Sequence, residues 1–335
     1  MPPTVARSPD ERMSLRSSAP FILAHVVPFA AVFTGVRLSW VLLGVGLYFG
    51  RMFCITAGYH RYFAHRSYRL GRVPQFLLAF GGLTAAQKGP LWWASTHRDH
   101  HRFTDTDRDP HSPQKGFWWS HVGWILSGKE TGGHDGIKDF AKYPELRFLD
   151  RYDWIGPWVL GVACYLLAGW GGLVIGFFAS TVVLWHATFS VNSLSHTFGW
   201  RRFGTDDTSR NSALVAFFTM GEGWHNNHHH CPASARQGFR WWEYDVTYYV
   251  LQLLRAVRVV RDMRPPPAAV RSARQLRRGA LDVGMLRLHL ARASAVVHRS
   301  GSREHEGERL IETLGRLTQD AREMTRSAAA PPLAD

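Results

Sequence analysis

The sequence predicts an all-α integral membrane protein with four transmembrane helices and a helical cap on one side of the bilayer. Three observations support this fold class. Apolar runs reach the length that spans a bilayer, and the 47 residues of 154–200 contain no Asp, Glu, Lys or Arg. Of the 18 histidines, 14 lie between residues 60 and 230, many of them at helical spacing. Lysine and arginine lie mainly on one side of the predicted hairpins.

The composition narrows the class of protein further. The 335 residues have a net charge of +14, which suits an anionic ligand, an anionic membrane surface or nucleic acid. The 14 tryptophans and the long uncharged runs favour the membrane, so we expect no nucleic-acid partner. The three cysteines form no CxxC pair, which argues against an iron–sulfur cluster and against a thiolate zinc site.

The N-terminal part predicts a tail and a membrane hairpin. Residues 1–19 are rich in Pro, Ser and Arg and are expected to form a flexible tail. Residues 21–36 and 38–57 are apolar, are joined at Arg37, and are near the ~20 residues that cross a bilayer, so we expect a transmembrane hairpin. Residues 73–87 are apolar but shorter, which indicates an interfacial or re-entrant helix.

The central part predicts a second hairpin. Residues 97–152 are strongly charged and are expected in water. The uncharged run 154–200 is long enough for two spans at ~1.5 Å per residue, with the turn at Gly171-Gly172. The positive-inside rule then places both termini and every histidine cluster on the cytoplasmic side of what we expect to be a bacterial inner membrane.

Residues 268–335 form an extension rich in Arg, Ala and Leu. Apolar side chains recur there at helical spacing in two stretches, separated by Ser300-Gly301-Ser302 and Gly307, which predicts a helical hairpin. We expect a packing or solubility role for this hairpin, and a docking site for a partner is the alternative.

Histidines in four short stretches have the spacing of metal ligands. Successive α-helical residues rotate by ~100°, so side chains at i,i+3 and i,i+4 share a face and can converge on an ion. His60 and His65 are five apart and would diverge on an ideal α-helix, so one of them should lie at a helix end. The candidate ligands are His60, His65, His97, His100, His101, Asn192, His196, His225, His228 and His229.

Nine imidazoles and one amide are too many for one ion, so two metal ions are expected. Nitrogen-rich sites with more than four ligands and room for an exogenous molecule suit iron better than structural zinc. Because imidazoles bring no negative charge, nearby carboxylates should partner them; the candidates are Asp99, Asp105, Asp107, Asp109 and Glu222. Five histidines without a suitably spaced partner are left outside the ligand set: His111, His121, His134, His186 and His230.

These motifs resemble those of the integral-membrane fatty acid desaturases, specifically the stearoyl-CoA (Δ9) acyl-CoA desaturase branch of bacterial type. The family has HxxxxH, HxxHH and HxxHH boxes and an NSxxH element, flanked by Asp-Pro-His and Gly-Phe-Trp-Trp-Ser-His sequences. The matching residues are 60–65, 97–101, 225–229, 192–196, 109–111 and 116–121. The resemblance covers about residues 20–267, which we expect to be the desaturase domain.

The resemblance implies a di-iron enzyme that uses O2 and two electrons to introduce a cis double bond, at Δ9, into a saturated long-chain acyl thioester. It implies that one iron is bound by His60, His65, His101 and His229, with Asn192 reaching it through water. The other iron would be bound by His97, His100, His196, His225 and His228. No catalytic residue beyond the metal ligands is expected, because an unactivated C–H bond requires a metal–oxygen oxidant.

Substrate contacts are expected in an apolar and aromatic tunnel beside the irons. The candidates are Trp92, Trp93, Trp118, Trp119, Trp124 and Lys129. The chain departs from animal acyl-CoA desaturases at Ser95-Thr96, where they have Arg-Asp, and at Gly128, where they have a basic residue. Acyl-CoA is the first choice of substrate, and acyl carrier protein or a phospholipid acyl chain is the alternative. Cations that could meet phosphates are Lys88, Arg98, Arg102, Lys115 and Arg236.

Electrons should come from a separate donor, such as a ferredoxin with its reductase, which the basic cytoplasmic face would attract. Two rival functions remain open. A di-iron membrane hydroxylase would use the same oxidant and form an alcohol. A membrane metal-binding or transport protein would need ionisable residues along its spans, which the predicted spans nearly lack.

Overall fold

The computed structural model describes residues 9–129, 134–273, 275–276 and 282–290, and this part of the chain is mostly helical. The α-helices are α1 (Leu15–Val26), α2 (Ala31–Thr34), α3 (Leu38–Phe53), α4 (Arg72–Leu83), α5 (Pro90–Phe103), α6 (Trp124–Leu126), α7 (Lys138–Ala141), α8 (Pro144–Arg151), α9 (Ile155–Gly171), α10 (Ser180–Ser193), α11 (Ala213–Phe218), α12 (His225–His230), α13 (Val246–Ala256) and α14 (Ala268–Ser272). The π-helices are Cys54–Ala64, Trp119–Gly123 and Gly172–Ala179, and the 3-10 turns are Pro9–Glu11, Val27–Ala30, Pro113–Lys115, His134–Ile137 and Leu194–His196. Two short strands, β1 (Arg69–Leu70) and β2 (Val260–Arg261), pair antiparallel, a small departure from the all-α prediction.

The first apolar segment is a bent helical run that ends in a tight turn. α1 gives way to a 3-10 turn at Val27, because Pro28 has no N–H for the α-helical ladder. α2 ends at Gly35, whose φ of 72° lies in the left-handed region that glycine adopts without strain. α3 then continues into the π-helix Cys54–Ala64, so that Leu38–Ala64 is one apolar helix of 27 residues.

The second apolar region, Ile155–His196, has 42 residues and reverses direction within its length. Gly169 has φ 63° and ψ −156°, a combination essentially restricted to glycine, and Gly161 faces Phe177 on the returning segment. Gly171-Gly172, where the turn was predicted, keeps helical dihedral angles. The chain therefore turns at Gly169 rather than at the predicted Gly171-Gly172.

Two helices of the described residues are long and apolar enough to cross a membrane, whereas four spans were predicted. The difference arises because the third and fourth predicted spans form one helical run, and the first, Ser18–Thr34, is a shorter apolar helix. Only 28% of the most apolar window of Leu38–Ala64 is buried within the protein, and 33% of that of Ile155–His196. The core helices of a soluble domain would be covered, so this apolar surface suits contact with lipid.

Arg51 connects the two long helices. Its Nη1 donates a hydrogen bond to Thr181 Oγ1 and its Nη2 donates one to Ser180 Oγ, each at 2.6 Å. A buried charge is tolerated only when it is hydrogen-bonded, so these bonds fix α3 against α10.

The N-terminal segment of the described chain differs from the prediction. Residues 1–8 lie outside the described part, but Pro9–Glu11 forms a 3-10 turn and α1 begins at Leu15. Residues 9–19 are therefore folded rather than a flexible tail, because Glu11 is buried against lysine partners. Most of the predicted C-terminal hairpin lies outside the described residues, and α14 and a helical stretch over 283–290 are its described parts.

Candidate metal centre

The first histidine pair is positioned by a π-helix. The backbone in Cys54–Ala64 bonds from residue i to residue i+5, and the His65 N–H donates to the His60 carbonyl at 3.1 Å. The wider turn brings residues five apart onto one face, and the two ring centroids lie 4.8 Å apart. His65 is the first residue beyond the helix, which confirms that one of the pair lies at a helix end. The π-helix itself was not predicted.

The second histidine box lies on α5, whose N-terminus is capped by another helix. The Asp150 carboxylate of α8 accepts hydrogen bonds from the N–H groups of Leu91 and Trp92, at 2.9 and 2.8 Å. These bonds satisfy two donors that a helix leaves unpaired, and a carboxylate is favoured at this end of the helix dipole. The cap fixes the direction in which residues 97–101 project.

The third box lies on α12, which has six residues and is too short to be stable by itself. Asparagines hold it in place. Asn211 Oδ1 accepts hydrogen bonds from the N–H groups of Asn226 and Asn227, at 3.0 and 3.2 Å. Asn226 Oδ1 in turn accepts one from the Phe203 N–H at 2.7 Å. The two asparagines between the histidines therefore set the orientation of the box.

Five imidazoles form the first cluster, with candidate ligand atoms all within 4.8 Å of one another: His60, His65, His97, His101 and His228. Their Nε2 atoms are linked by short separations. The separation is 3.0 Å from His60 to His228 and 2.9 Å from His228 to His101. It is 3.0 Å from His101 to His97 and 2.9 Å from His97 to His65.

Four imidazoles form the second cluster: His100, His196, His225 and His229. The His225 Nε2 lies 3.0 Å from that of His196 and 3.0 Å from that of His229. The His100 Nε2 is buried and has no hydrogen-bond partner among the described residues. All nine imidazoles in the predicted ligand set thus fall in one cluster or the other.

The division between the clusters differs from the one that the resemblance implied and corrects it at three residues. His97 and His228 lie in the five-histidine cluster, and His229 lies in the four-histidine cluster. On an α-helix, residues at i,i+4 diverge by ~40° and residues at i,i+3 by ~60°. The i,i+4 pairs, His97 with His101 and His225 with His229, therefore share a cluster. The middle histidine of each box lies in the other cluster: His100 in the four-histidine cluster and His228 in the five-histidine cluster.

The spacing of the nitrogens fits a metal ion in each cluster. Two nitrogens that are each about 2.1 Å from an ion lie about 3.0 Å apart at a ligand angle of 90°, and about 3.4 Å apart at a tetrahedral angle. The Nε2 separations of 2.9 to 3.0 Å correspond to the right angle. The separations therefore suit one ion shared by the nitrogens of each cluster.

Five of the nine imidazoles are held in the neutral state that metal binding requires. Burial, together with the neighbouring imidazoles, lowers the pKa of His65, His97 and His101 well below its usual value. The same causes lower the pKa of His225 and His228. Their nitrogen lone pairs are therefore available to a metal ion at neutral pH.

Carboxylates contact the Nδ1 atoms of four of these imidazoles. The pairs are His60 with Glu222 at 2.5 Å, His100 with Asp109 at 3.0 Å, His196 with Asp105 at 3.5 Å and His229 with Asp207 at 2.9 Å. In the three pairs at 3.0 Å or less, the carboxylate on Nδ1 fixes the tautomer and the ring orientation, so that Nε2 faces the ion. The His196 Nδ1 lies closer to Thr208 Oγ1, at 3.1 Å.

The sequence predicted three of these four carboxylates. Glu222, Asp109 and Asp105 are confirmed as imidazole partners. Asp207 was missed because it lies in a loop without a histidine motif, and only the folded chain brings it to His229. Asp99, also predicted, lines a cavity instead. Asp107, the fifth candidate, is not part of the four pairs.

Glu222 belongs to a buried ion-pair network behind the first cluster. Arg61 is 1% exposed and pairs with Glu222 at 3.0 Å and with Asp245 at 2.9 Å. Gln237 Nε2 donates to Glu222 Oε2 at 2.8 Å. Burial alone would raise the pKa of Glu222, but His60 and Arg61 lower it to about 2. The ionised carboxylate therefore supplies negative charge to an all-imidazole cluster.

His111 is a residue that sequence reasoning left out of the site. It forms a third group of close ligand atoms with His100 and Asp109, and its ring centroid lies 4.3 Å from that of His100. It also lines the cavity. The Asp-Pro-His sequence at 109–111 is the signal that could have indicated it, since the Asp of that sequence contacts His100.

The other histidines outside the ligand set have different partners. His121 Nε2 lies 3.0 Å from His186 Nδ1, and His186 Nε2 lies 2.9 Å from His25 Nε2, so these three rings form a hydrogen-bonded chain. His230 Nε2 lies 2.7 Å from the Val270 carbonyl oxygen. The side chain of His134 lies outside the described residues.

A cavity of about 1760 Å³ lies beside the clusters. His97, His111 and Asn192 contribute to its wall. Apolar and aromatic side chains from α1 and from the 155–189 region form much of the remaining wall, including Phe21, Trp158, Tyr165, Leu173, Phe177 and Trp185. Charged side chains also line it: Lys88, Asp99, Arg102, Arg108 and Lys129. The cavity therefore suits an amphiphile with an apolar chain.

The predicted substrate residues divide into two groups. Trp93, Trp124 and Lys129 line the cavity, and the Trp93 ring stacks on His97 with 5.1 Å between centroids. Trp92 lines it as well. The expected contacts of Trp118 and Trp119 are corrected: Trp118 is 70% exposed, Trp119 is buried in the packing, and neither lines the cavity. The π-helix that begins at Trp119 sets these directions, and the sequence did not predict it.

Of the five cations expected to meet phosphates, two line the cavity, Lys88 and Arg102. The other three are engaged within the protein: Arg98 with Asp139, Lys115 with Glu11, and Arg236 with the Gly238 carbonyl. Arg108 lines the cavity and was not predicted.

These features define a class of protein. It is mainly helical, has apolar helices long enough to cross a membrane, and has two buried histidine clusters suited to metal ions beside a cavity for an amphiphile. A family model described as fatty acid desaturase matches residues 38–264. The chain belongs to the fatty acid desaturase family, which confirms the resemblance seen in the histidine boxes, and it is an oxidoreductase of lipid metabolism.

Curated relatives agree with this family. The chain is 39% identical over 249 residues to acyl-CoA 5-desaturase AL21 of Anemone leveillei, which covers 73% of this chain and 76% of the relative. It is 39% identical over 271 residues to sn-2 palmitoyl-lipid 9-desaturase of Nostoc sp. (strain 36), covering 76% and 95%. It is 39% identical over 240 residues to sn-1 stearoyl-lipid 9-desaturase of Anabaena variabilis, covering 70% and 85%. By their names, these relatives act on acyl-CoA and on acyl lipids.

Proposed function

We propose that this protein is an O2-dependent fatty acyl desaturase that introduces a cis double bond, at Δ9, into a saturated long-chain acyl group. The observation that supports this most strongly is that an apolar cavity shares a wall with the first histidine cluster through His97, and that Asn192, a further predicted ligand, also lines it. A metal centre or an apolar cavity alone would suit many functions. Together they suit the oxidation of a methylene chain.

Iron is the metal that we propose for both clusters. One ion would be held by His60, His65, His97, His101 and His228. The other would be held by His100, His196, His225 and His229. We propose that Asn192, which the resemblance assigned to the first ion, reaches this second ion through water, because it lies four residues before His196 in the sequence. When bound, the iron pair supplies the O2-dependent oxidation of an unactivated C–H bond, which no acid–base side chain can perform.

The protein's own residues would position the substrate and hold the ligands. Trp93 and Trp124 would confine the acyl chain beside the centre, which fixes the methylene pair that reacts. Glu222 and Asp207 would hold the imidazoles of His60 and His229 in the tautomer that presents Nε2 to the ion. The Δ9 position agrees with the names of two relatives.

We propose four transmembrane segments, with both termini and the histidine clusters on the cytoplasmic side of a bacterial inner membrane. The uncovered apolar surface of the long helices supports contact with lipid. At ~1.5 Å per residue, Ile155–His196 would extend ~63 Å, about twice the thickness of the hydrocarbon core. In this arrangement residues 20–267 are the desaturase domain and 268–335 a helical extension.

We propose a separate electron donor, such as a ferredoxin with its reductase. The net charge of +14 supports docking of an acidic donor. Turnover with ferredoxin should then fall as salt rises, because the ions screen this attraction. Turnover that stays the same from low to high salt would contradict the docking proposal.

Expression in a host that cannot make unsaturated fatty acids tests the function. Mass spectrometry of the host's acyl chains should detect a new cis olefin and its position. Iron-containing protein without any olefin would contradict the desaturase proposal. An alcohol in place of the olefin would favour the hydroxylase alternative, and metal accumulation without oxidised lipid would favour the transporter alternative.

A further inference from the structure

The last residues that the structure describes, 275–276 and 282–290, contact the loop of residues 201–209. We call these last residues the C-terminal segment. The Leu276 N–H donates a hydrogen bond to the Arg202 carbonyl at 2.7 Å, which joins the two backbones. The C-terminal segment lies beyond the part of the chain that the family model matches. The family match therefore gives this contact no role.

Asp282 joins the helical stretch 283–290 to Arg201 of the loop. Its Oδ1 accepts a hydrogen bond from the Met285 N–H at 3.1 Å, which caps the start of the helix. Its Oδ2 accepts a hydrogen bond from Arg201 Nε at 2.7 Å. One carboxylate therefore fixes both the first turn of this helix and the position of the guanidinium group.

The Arg201 side chain is 5% exposed and bonds to the backbone of the loop at three points. Its Nη1 donates to the carbonyls of Asp207 and Ser209, at 2.6 and 3.0 Å. Its Nη2 donates to the Thr205 carbonyl at 2.8 Å. A buried guanidinium group needs acceptors for its N–H groups, so the loop folds around it. The loop in turn depends on Asp282, which neutralises the charge of Arg201.

Gly284 lets the helix approach the loop more closely than a residue with a side chain would allow. A Cβ at this position would lie 2.0 Å from the Thr205 carbonyl oxygen and 2.7 Å from the carbonyl carbon. Leu288 lies four residues further on, and thus on the same face, and is also buried. Any side chain at residue 284 would therefore push the helix and the loop apart.

Asp207 uses one carboxylate oxygen within the loop and the other at the metal centre. Its Oδ1 accepts hydrogen bonds from the Ser209 N–H at 2.9 Å and from Thr205 Oγ1 at 2.8 Å. Its Oδ2 lies 2.9 Å from His229 Nδ1. The loop therefore sets the position of this carboxylate, and the carboxylate orients the imidazole.

We propose that the C-terminal segment positions the metal ion of the four-histidine cluster, with Asp282 and Gly284 as its positioning residues. Asp282 holds Arg201, and Arg201 holds the backbone of the loop at Asp207. Asp207 then directs the Nε2 of His229 at the ion. The inference rests on the proposed metal centre and adds to it a part of the chain that lies outside the family match.

Two variants loosen the segment without changing a metal ligand. An asparagine has one acceptor oxygen where Asp282 uses two, so Asp282→Asn can keep the helix cap and loses the charged bond to Arg201. Gly284→Ala leaves every polar group in place and adds a methyl group against the Thr205 carbonyl. In competition between a chelator and the protein for Fe2+, each variant should bind one of the two ions about tenfold more weakly, the lower end of the range for a lost partner of a metal-bound imidazole. The affinity for the other ion should not change.

Two control variants lie on the same helix. His289→Ala changes an exposed residue and should leave both Fe2+ affinities unchanged. Arg287→Gln removes a partly exposed ion pair with Asp206, and should have little effect because such pairs contribute little. A loss in His289→Ala as large as that in Asp282→Asn would overturn the positioning role, since it would mean that any change in the helix weakens the ion.

A double variant tests whether Asp282 acts through Asp207. Two residues that act through one another have effects that do not add, so Asp207→Asn with Asp282→Asn should lose no more affinity than Asp207→Asn alone. Additive losses, or equal losses at both ions, would overturn the positioning role. If Gly284→Ala fails to fold, these variants of Asp282 and Asp207 decide the question by themselves.

Hydrogen exchange of the full-length, chelator-treated protein separates this inference from the proposed function. The Ser209 N–H bonds to Asp207 Oδ1, so exchange at residue 209 reports the order of the loop. Exchange there should be faster in Asp282→Asn and Gly284→Ala and unchanged in His289→Ala. Unchanged exchange in all three variants would overturn the inference. Failure of the unchanged protein to bind Fe2+ would contradict the proposed function, and the exchange result would still decide whether the segment orders the loop.

Discussion

At the scale of single residues, the centre depends on which nitrogen of each imidazole faces inward. The Nε2 atoms converge, and four of the nine rings direct Nδ1 at a carboxylate. The sequence predicted the rings, because helical spacing identifies a shared face. It predicted the carboxylates only where they lie close to a histidine box. Asp207 required the fold, since the loop that carries it is brought to His229 by contacts distant in sequence.

Replacement of one cluster histidine should abolish activity. His228→Ala removes a nitrogen that lies 3.0 Å from His60 Nε2 and 2.9 Å from His101 Nε2, so we expect loss of iron from the first cluster and no detectable olefin. His230→Ala is the matched control, because the neighbouring ring bonds to the Val270 carbonyl outside the clusters. Iron content and olefin yield are the measurements, and equal effects of the two variants would contradict the ligand assignment.

Replacement of the carboxylate behind His229 should weaken the second metal ion without removing a ligand. Asp207→Asn leaves the ring in place but loses the charged acceptor of its Nδ1–H, and we expect about 10- to 100-fold lower metal affinity. Asp206→Asn removes an adjacent, exposed carboxylate that pairs with Arg287, and should have little effect. Metal competition with a chelator would measure both; unchanged affinity in Asp207→Asn would contradict its role.

At the scale of elements, departures from regular α-helix decide the geometry. The α-helical spacing rule predicted the i,i+4 pairs on α5 and α12. It could not predict the π-helix that brings His60 and His65 together, because the wider turn is stabilised by packing around a fully buried segment. The same limit applies to Trp118 and Trp119, whose directions follow from another π-helical turn.

The reversal at Gly169 should be sensitive to a single methyl group. Gly169 has a positive φ and nothing within 4 Å of a Cβ position, so Gly169→Ala tests the backbone alone. We expect a loss of about 1–3 kcal/mol in the free energy of unfolding. Gly46→Ala, in the regular part of α3 and with equal space, should be neutral or stabilising. Thermal unfolding in detergent would compare them, and equal midpoints would contradict a strained reversal.

At the scale of the whole molecule, the two clusters connect segments that are far apart in sequence. The π-helix Cys54–Ala64, α5, the Leu194–His196 turn and α12 each contribute imidazoles, and the cavity wall adds α1 and the second apolar hairpin. Charge-free runs predicted the apolar hairpins, and histidine spacing predicted the centre. The folded segment 9–19 was not predictable from its polar composition, because contacts with residues distant in sequence hold it: Glu11 with Lys115 and Lys129, and backbone hydrogen bonds to residues 126–128.

Removal of the metal should make the stability of the whole molecule depend on pH. Burial lowers the pKa of His65, His97, His101, His225 and His228 in the folded chain, whereas the unfolded chain titrates near 6.5. Below about pH 6.5 the unfolded chain binds protons that the folded chain does not, so the free energy of unfolding falls by up to about 1.4 kcal/mol per pH unit for each group. Thermal unfolding of chelator-treated protein between pH 8 and pH 5 would measure this, and a midpoint independent of pH would contradict buried neutral imidazoles.

The central claim is that two iron ions lie in the two histidine clusters. The most direct measurement is a crystal structure of the iron-loaded protein with anomalous scattering recorded at the iron edge. We predict two anomalous peaks per chain. One should be bonded to the Nε2 atoms of His60, His65, His97, His101 and His228, and the other to those of His100, His196, His225 and His229. A single peak, or two peaks whose ligands divide the nine histidines differently, would contradict the account.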